Sequence, residues 1–139
     1  MRIEVETRNV DRHVTALGTA EQFTLVVDRP VEGGGGGLGF NGGQLLYLAI
    51  AGCISNDLFR EARASGIELT HVRVRVRGDF VGEPAVSNDI EYEVDVEGDA
   101  PNDRLRALVT HVDTIAEIPN TLRRATSVRL VDARIGGTQ

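Results

Sequence analysis

The chain contains no lysine: all 15 basic residues are arginine. This excludes Schiff-base chemistry on a lysine amine and any phosphate loop that depends on a lysine. Cys53 is the single cysteine, so no internal disulfide can form, in keeping with a reducing cytoplasm. The three histidines, His13, His71 and His111, stand far apart with no helical histidine pair, and no metal site is expected of them. No G-x-S-x-G elbow is present, which removes that serine-hydrolase signature. The longest apolar run, residues 45–54, falls short of the ~20 residues a membrane helix needs. The opening MRIEVETRNV lacks the apolar core of a signal segment. The expectation is a soluble, unexported, cytoplasmic protein with no membrane partner. A net charge of -6 repels a phosphate backbone, and no basic cluster interleaved with aromatics offsets it, so nucleic acid is not an expected partner.

What is present reads as one domain over residues 1–139. A chain of 139 residues buries roughly two thirds of its unfolded surface, enough for a core without a metal or disulfide staple. Residues 3–7, 13–17 and 22–27 alternate apolar and polar side chains between polar or glycine breaks, predicting an antiparallel meander of three strands. Residues 29–43 form a loop with five consecutive glycines at 33–37, too flexible for regular structure. Asn41 and Gln44 have the capping-box spacing at the head of a helix that runs to Gly66. Its first three turns carry Leu45, Leu46, Leu48, Ala49, Ile50, Ala51 and Ile54. A helix apolar all round is expected to cross the middle of a core, with Cys53 deep inside it.

Val72, Val74 and Val76 alternate with arginines, and Ile90, Tyr92, Val94 and Val96 alternate with acids. Paired as a hairpin, these strands set each arginine opposite an acid, a solvated charge-matched face and not a substrate site. Leu105, Leu108, Val109, Val112, Ile115 and Ala116 mark a second helix from Pro101 that Pro119 ends. A helical turn over 120–125 leads to a last strand over 128–135. The order β-β-β-α-β-β-α-β predicts an α+β fold with an antiparallel sheet.

Residues 34–39 match G-x-G-x-x-G formally, but five glycines in a row satisfy almost any glycine pattern, and no acidic residue ends a second parallel strand. No cofactor is expected, and the loop reads as a mobile lid or a close backbone approach. The carboxylates fall mainly on solvent-facing positions. Cys53 therefore remains as the candidate for chemistry, with packing as the competing reading. At an ordinary pKa near 8.5 only a few per cent of it is thiolate at neutral pH, and burial lowers that fraction. Reactivity needs a cation at the sulfur, and Arg29 in the loop is the first candidate.

The segments VDRP, QLLYLAIAGCISNDL, GIELTHVRVRVRGDF and EIPNTLRRATSVRLV together resemble the OsmC and organic hydroperoxide resistance superfamily, a peroxiredoxin-like group. The resemblance implies an intertwined homodimer whose sheets wrap a pair of long central helices. It implies that Cys53 matches the cysteine that attacks peroxide. The family's resolving cysteine falls at Ala116 and its following proline at Glu117, while the proline and glutamate at the helix start become Gly42 and Gly43. The two-cysteine mechanism is thereby excluded. What remains is a one-cysteine, thiol-dependent hydroperoxide reductase of oxidative stress defence, with Cys53 and Arg29 as site residues and an external thiol as reductant. The alternative is a non-enzymatic binder of a small hydrophobic molecule in the dimer-interface cleft.

Overall fold

A computed structural model describes residues 1–136. The meander is formed by β1 (Glu6–Asn9), β2 (Ala16–Ala20) and β3 (Phe23–Val27), antiparallel in that order. The first two strands begin three residues later than the alternation predicts. Glu6 pairs with Thr19 and Asn9 with Ala16, which leaves Ile3 and Val5 beyond the ladder and exposed. Apolar alternation marks a segment able to pair, and the turn between the strands decides which residues do.

The long helix α1 (Gly42–Ala64) starts as expected. The Gln44 N–H donates to Asn41 Oδ1 at 3.0 Å, and the Asn41 N–H donates to Gln44 Oε1 at 2.9 Å. Within one chain it is buried along a single stripe, Ile50, Ile54, Leu58 and Ala62, the i, i+4 positions of one face. Leu48 is 48% exposed, so the all-round apolar helix is not covered all round by its own chain.

The hairpin of β4 (Leu69–Val81) and β5 (Val86–Gly98) lies against α1, and α2 (Asn102–Ile115) packs on both. Ile54, Leu58, Ala62, Ile67, Leu105, Leu108, Val112 and Ala116 form the core, flanked by Val72, Val74, Val94 and Val96 from the sheet. Each such side chain contributes about 1.5–3 kcal/mol when fully buried. The outer face has the expected register, with Arg73 opposite Asp95, Arg75 opposite Glu93 and Arg77 opposite Glu91. Two of these pairs close to 3.2 and 3.1 Å. Both are half exposed and contribute a few tenths of a kcal/mol each.

Pro119 acts upstream of itself. It has no N–H to donate and its ring clashes with the carbonyl four residues earlier. α2 therefore stops at Ile115, Ala116 turns extended (φ -60, ψ 121), and α3 (Glu117–Arg123) begins with Pro119 in its first turn. Asp113 clamps this break: it accepts from the Tyr92 hydroxyl of β5 and from Arg123 of α3, while Arg123 also donates to the Asp113 backbone oxygen at 2.9 Å.

The strand expected over 128–135 does not form. Residues 126–136 carry no regular structure and lie exposed, with Val128 at 96% and Leu130 at 84%. A strand exists only against a partner, and no edge of the two separate sheets receives this segment within the chain. Among the described residues no helix is long and apolar enough to cross a membrane.

Candidate functional site

The glycine loop is pinned by a buried acid. Asp28, 4% exposed, accepts from the backbone N–H groups of Arg29 (2.7 Å), Gly36 (3.1 Å) and Leu38 (3.2 Å) and from the Thr15 hydroxyl (2.9 Å). Burial raises its pKa, but the bonds from Gly36, Leu38, Arg29 and Thr15 outweigh it and hold the carboxyl below its ordinary value. The chain then passes so close to itself that a Cβ on Gly35 would lie 2.1 Å from the Arg29 carbonyl oxygen. Of the two roles expected of this loop, the close backbone approach is present.

Beside the loop lies a cleft of about 870 Å³, bounded by Arg29, Pro30, Asn41, Gln44, Tyr47 and Phe80. Tyr47 and Phe80 stack with ring centroids 6.0 Å apart. A Cβ at Gly43 would meet the Phe80 ring at 3.0 Å, so the aromatic pair occupies the room a side chain would need at the helix head.

Cys53 lies elsewhere, six residues beyond Tyr47, which is about 9 Å along the helix axis. It does not line the cleft, and among the described residues no hydrogen bond or ion pair joins it to Arg29. The two expected site residues are thus not brought together within one chain. Nor is the thiol deep: it is partly exposed, because the buried stripe of α1 passes beside it through Ile50 and Ile54.

The sulfur faces acids. Cys53 Sγ lies 3.9 Å from Asp57 Oδ2, one turn on along α1, and 3.8 Å from Glu117 Oε2 at the start of α3. Burial pushes the thiol pKa up; the Ile118 N–H opposes this, and the charges of Asp57 and Glu117 add to the rise. Asp57 is 3% exposed. Burial raises its pKa too, against the Arg60 guanidinium at 2.8 Å from Oδ1. Arg60 also donates to Glu61 at 2.9 Å, and Glu61 meets His111 of α2 at 3.3 Å.

The donor atoms of Cys53, Asp57 and Glu117 lie within 4.8 Å of one another, the one such grouping among the described residues, although Arg60 already engages Asp57. Sequence reasoning missed Asp57 and Asp28 as buried acids. The signal for Asp57 was its place between Ile54 and Leu58, on the apolar stripe and four residues from the thiol.

A family model described as OsmC-like protein matches residues 34–131. No curated protein matches the chain in sequence. Among solved structures, the OsmC-like protein of Mycoplasma pneumoniae is 16% identical, with a TM-score of 0.76 over 88% of each chain. An organic hydroperoxide resistance protein OsmC of Legionella pneumophila is 18% identical, with a TM-score of 0.64 over 88% of this chain and 90% of its own. The organic hydroperoxide resistance protein OhrB of Bacillus subtilis is 17% identical, with a TM-score of 0.60 over 88% of this chain and 91% of its own. At these identities the likeness is one of fold.

Proposed function

The chain belongs to the OsmC-like protein family, and from that premise we propose that it is a one-cysteine, thiol-dependent reductase of organic hydroperoxides. The observation that carries this reading is the setting of Cys53: partly exposed, opposite the α2–α3 break, with two carboxylates within 3.9 Å of the sulfur. The thiol loses its proton to a neighbouring base, and the sulfur attacks one peroxide oxygen. An S–O bond forms as the O–O bond breaks, and the alkoxide leaves as the alcohol. The resulting sulfenic acid has no second cysteine to meet, so two equivalents of an external thiol return it to the thiol, releasing water and a disulfide.

In this reading the working form is a homodimer. The side of α1 that its own chain leaves bare supports it, with Leu48 at 48% and Phe59 at 50% exposed. Arg29 takes part only through the second copy, because its own chain holds it at the cleft. Mass spectrometry after a small excess of an organic hydroperoxide tests the reading: oxidation is expected at Cys53 alone. Cys53→Ser protein is expected to stay folded and consume no peroxide, and unchanged consumption by that variant ends the proposal.

One observation favours the alternative of a non-enzymatic binder. A second pocket of about 250 Å³, lined by Val5, Phe23, Leu25, Val27 and Leu45, has the apolar character of a site for a small hydrophobic molecule. A Cys53 that alkylates only after unfolding supports the binder over the reductase.

A further inference from the structure

Carried by the peroxidase reading, the geometry around Cys53 assigns a second reacting group. We propose that Asp57 receives the Cys53 proton and returns it to the leaving alkoxide, and that Arg60, braced by Glu61 and His111, is the positioning residue that keeps Asp57 able to do so. Such a group is called for because the family's helix-start acid is replaced here by Gly43, whose space Phe80 fills.

Of the two carboxylates near the thiol, Asp57 is the fixed one. Its side chain is 5% exposed and its Oδ1 is held by Arg60 at 2.8 Å, which leaves Oδ2 turned to the sulfur at 3.9 Å. The i, i+4 spacing on one helix keeps the two groups in register. Glu117 is exposed. A proton on Asp57 is sheltered, so it remains available when the O–O bond breaks.

Arg60 answers the opposite need. Burial raises the Asp57 pKa, and the guanidinium opposes that rise and favours the charged form. Glu61 and His111, at 2.9 and 3.3 Å along the same chain of contacts, fix the arginine in turn. The charged and titratable groups around Asp57 are Cys53, Arg60 and Glu61 of α1, His111 of α2 and Glu117 of α3. The sheet presents Leu69, Val72, Val74, Val94 and Val96 to this core together with one titratable group, Tyr92, whose hydroxyl donates to Asp113 of α2.

The proton balance closes. Asp57 gains a proton as the thiolate forms. The S–O bond forms while the O–O bond breaks, sulfur being oxidised and the peroxide reduced, and the proton passes from Asp57 to the alkoxide to give the alcohol.

The test compares two rates on the intact protein: iodoacetamide alkylation of Cys53, which follows the thiolate, and reduction of an organic hydroperoxide, which also needs the proton returned. Asp57→Asn removes a negative charge beside the sulfur. Alkylation at pH 7 is expected to rise about threefold or more, the effect of half a pKa unit. Peroxide reduction is expected to fall on the order of 10²-fold, the usual share of general acid-base catalysis.

Arg60 is half exposed, so its replacement spares the core. Arg60→Gln is expected to move the acid limb of the peroxide pH profile upward, and Arg60→Lys to restore it. Peroxide reduction that rises with alkylation in Asp57→Asn, a larger loss in Glu117→Gln than in Asp57→Asn, or an Arg60→Gln profile lowered equally at every pH each overturns the inference alone. No peroxide reduction by the unmodified protein at any pH removes the function reading and this inference with it.

Discussion

The backbone N–H of Gly36 lies 3.1 and 3.2 Å from the two carboxylate oxygens of Asp28. The five-glycine segment is thus held by a charge, and its order depends on that charge persisting. Since the folded carboxyl titrates below its unfolded value, its contribution to stability is present above about pH 4 and is lost as pH falls through the lower folded pKa. Asp28→Asn should remove that acid sensitivity and speed amide exchange at Gly36 and Leu38, as read by hydrogen exchange. Gly35→Ala should loosen the same loop at every pH, because its Cβ has no room beside the Arg29 carbonyl.

An alkaline counterpart sits at the α2–α3 break. Burial, then the hydrogen bond to Asp113, pushes the Tyr92 pKa up to about 12. A raised pKa stabilises the fold while the group stays protonated in both states, so this contribution is whole below about pH 10 and disappears as pH climbs towards 12. Urea unfolding at pH 8 and pH 11 should differ by an amount on the order of 1 kcal/mol from this group. Tyr92→Phe should cost about 1 kcal/mol at pH 8 and flatten the difference.

Association should depend on the exposed side of α1. Leu48→Asp is expected to give folded monomer by light scattering at micromolar concentration, since its side chain meets water in the single chain. Ile54→Asp, at a position 1% exposed, should cost several kcal/mol and prevent folding. A stable monomer of the unmodified protein would remove the dimer from the proposed function.

Ala116 is fully buried in the cluster against which Cys53 packs, and the next residue places its carboxylate at the sulfur. Ala116→Cys should therefore form a disulfide with Cys53 on mild oxidation, both free thiols disappearing together, given Cβ atoms able to come within ~3.5–4.5 Å. If both thiols survive oxidant with the fold intact, position 116 does not correspond to the family's resolving site.

Much of this was written locally in the chain. Asn41 and Gln44 announce their cap because both partners lie within one turn. The hairpin register follows because arginines and acids alternate in phase with valines. Asp57 was legible only through its place on the Ile54–Leu58 stripe, whereas Asp28 has the same side chain as the solvated Asp95 and is taken from water by the loop that bonds to it through Gly36 and Leu38. Cys53 was expected deep because an apolar helix implies cover on every side, yet its own chain supplies cover on one. The last strand failed for a related reason, since propensity resides in a segment and pairing resides in its partner.

That last segment, V-R-L-V-D-A-R-I over residues 128–135, changes phase midway. In an extended chain Val128 and Leu130 point to one side, and Val131, Ala133 and Ile135 to the other. A surface that receives it must be greasy on one side for its first half and on the opposite side for its second. Sliding by a single residue turns all five apolar side chains to the wrong side at once. The segment behaves as a key cut with a step, which one alignment fits and every neighbouring alignment rejects.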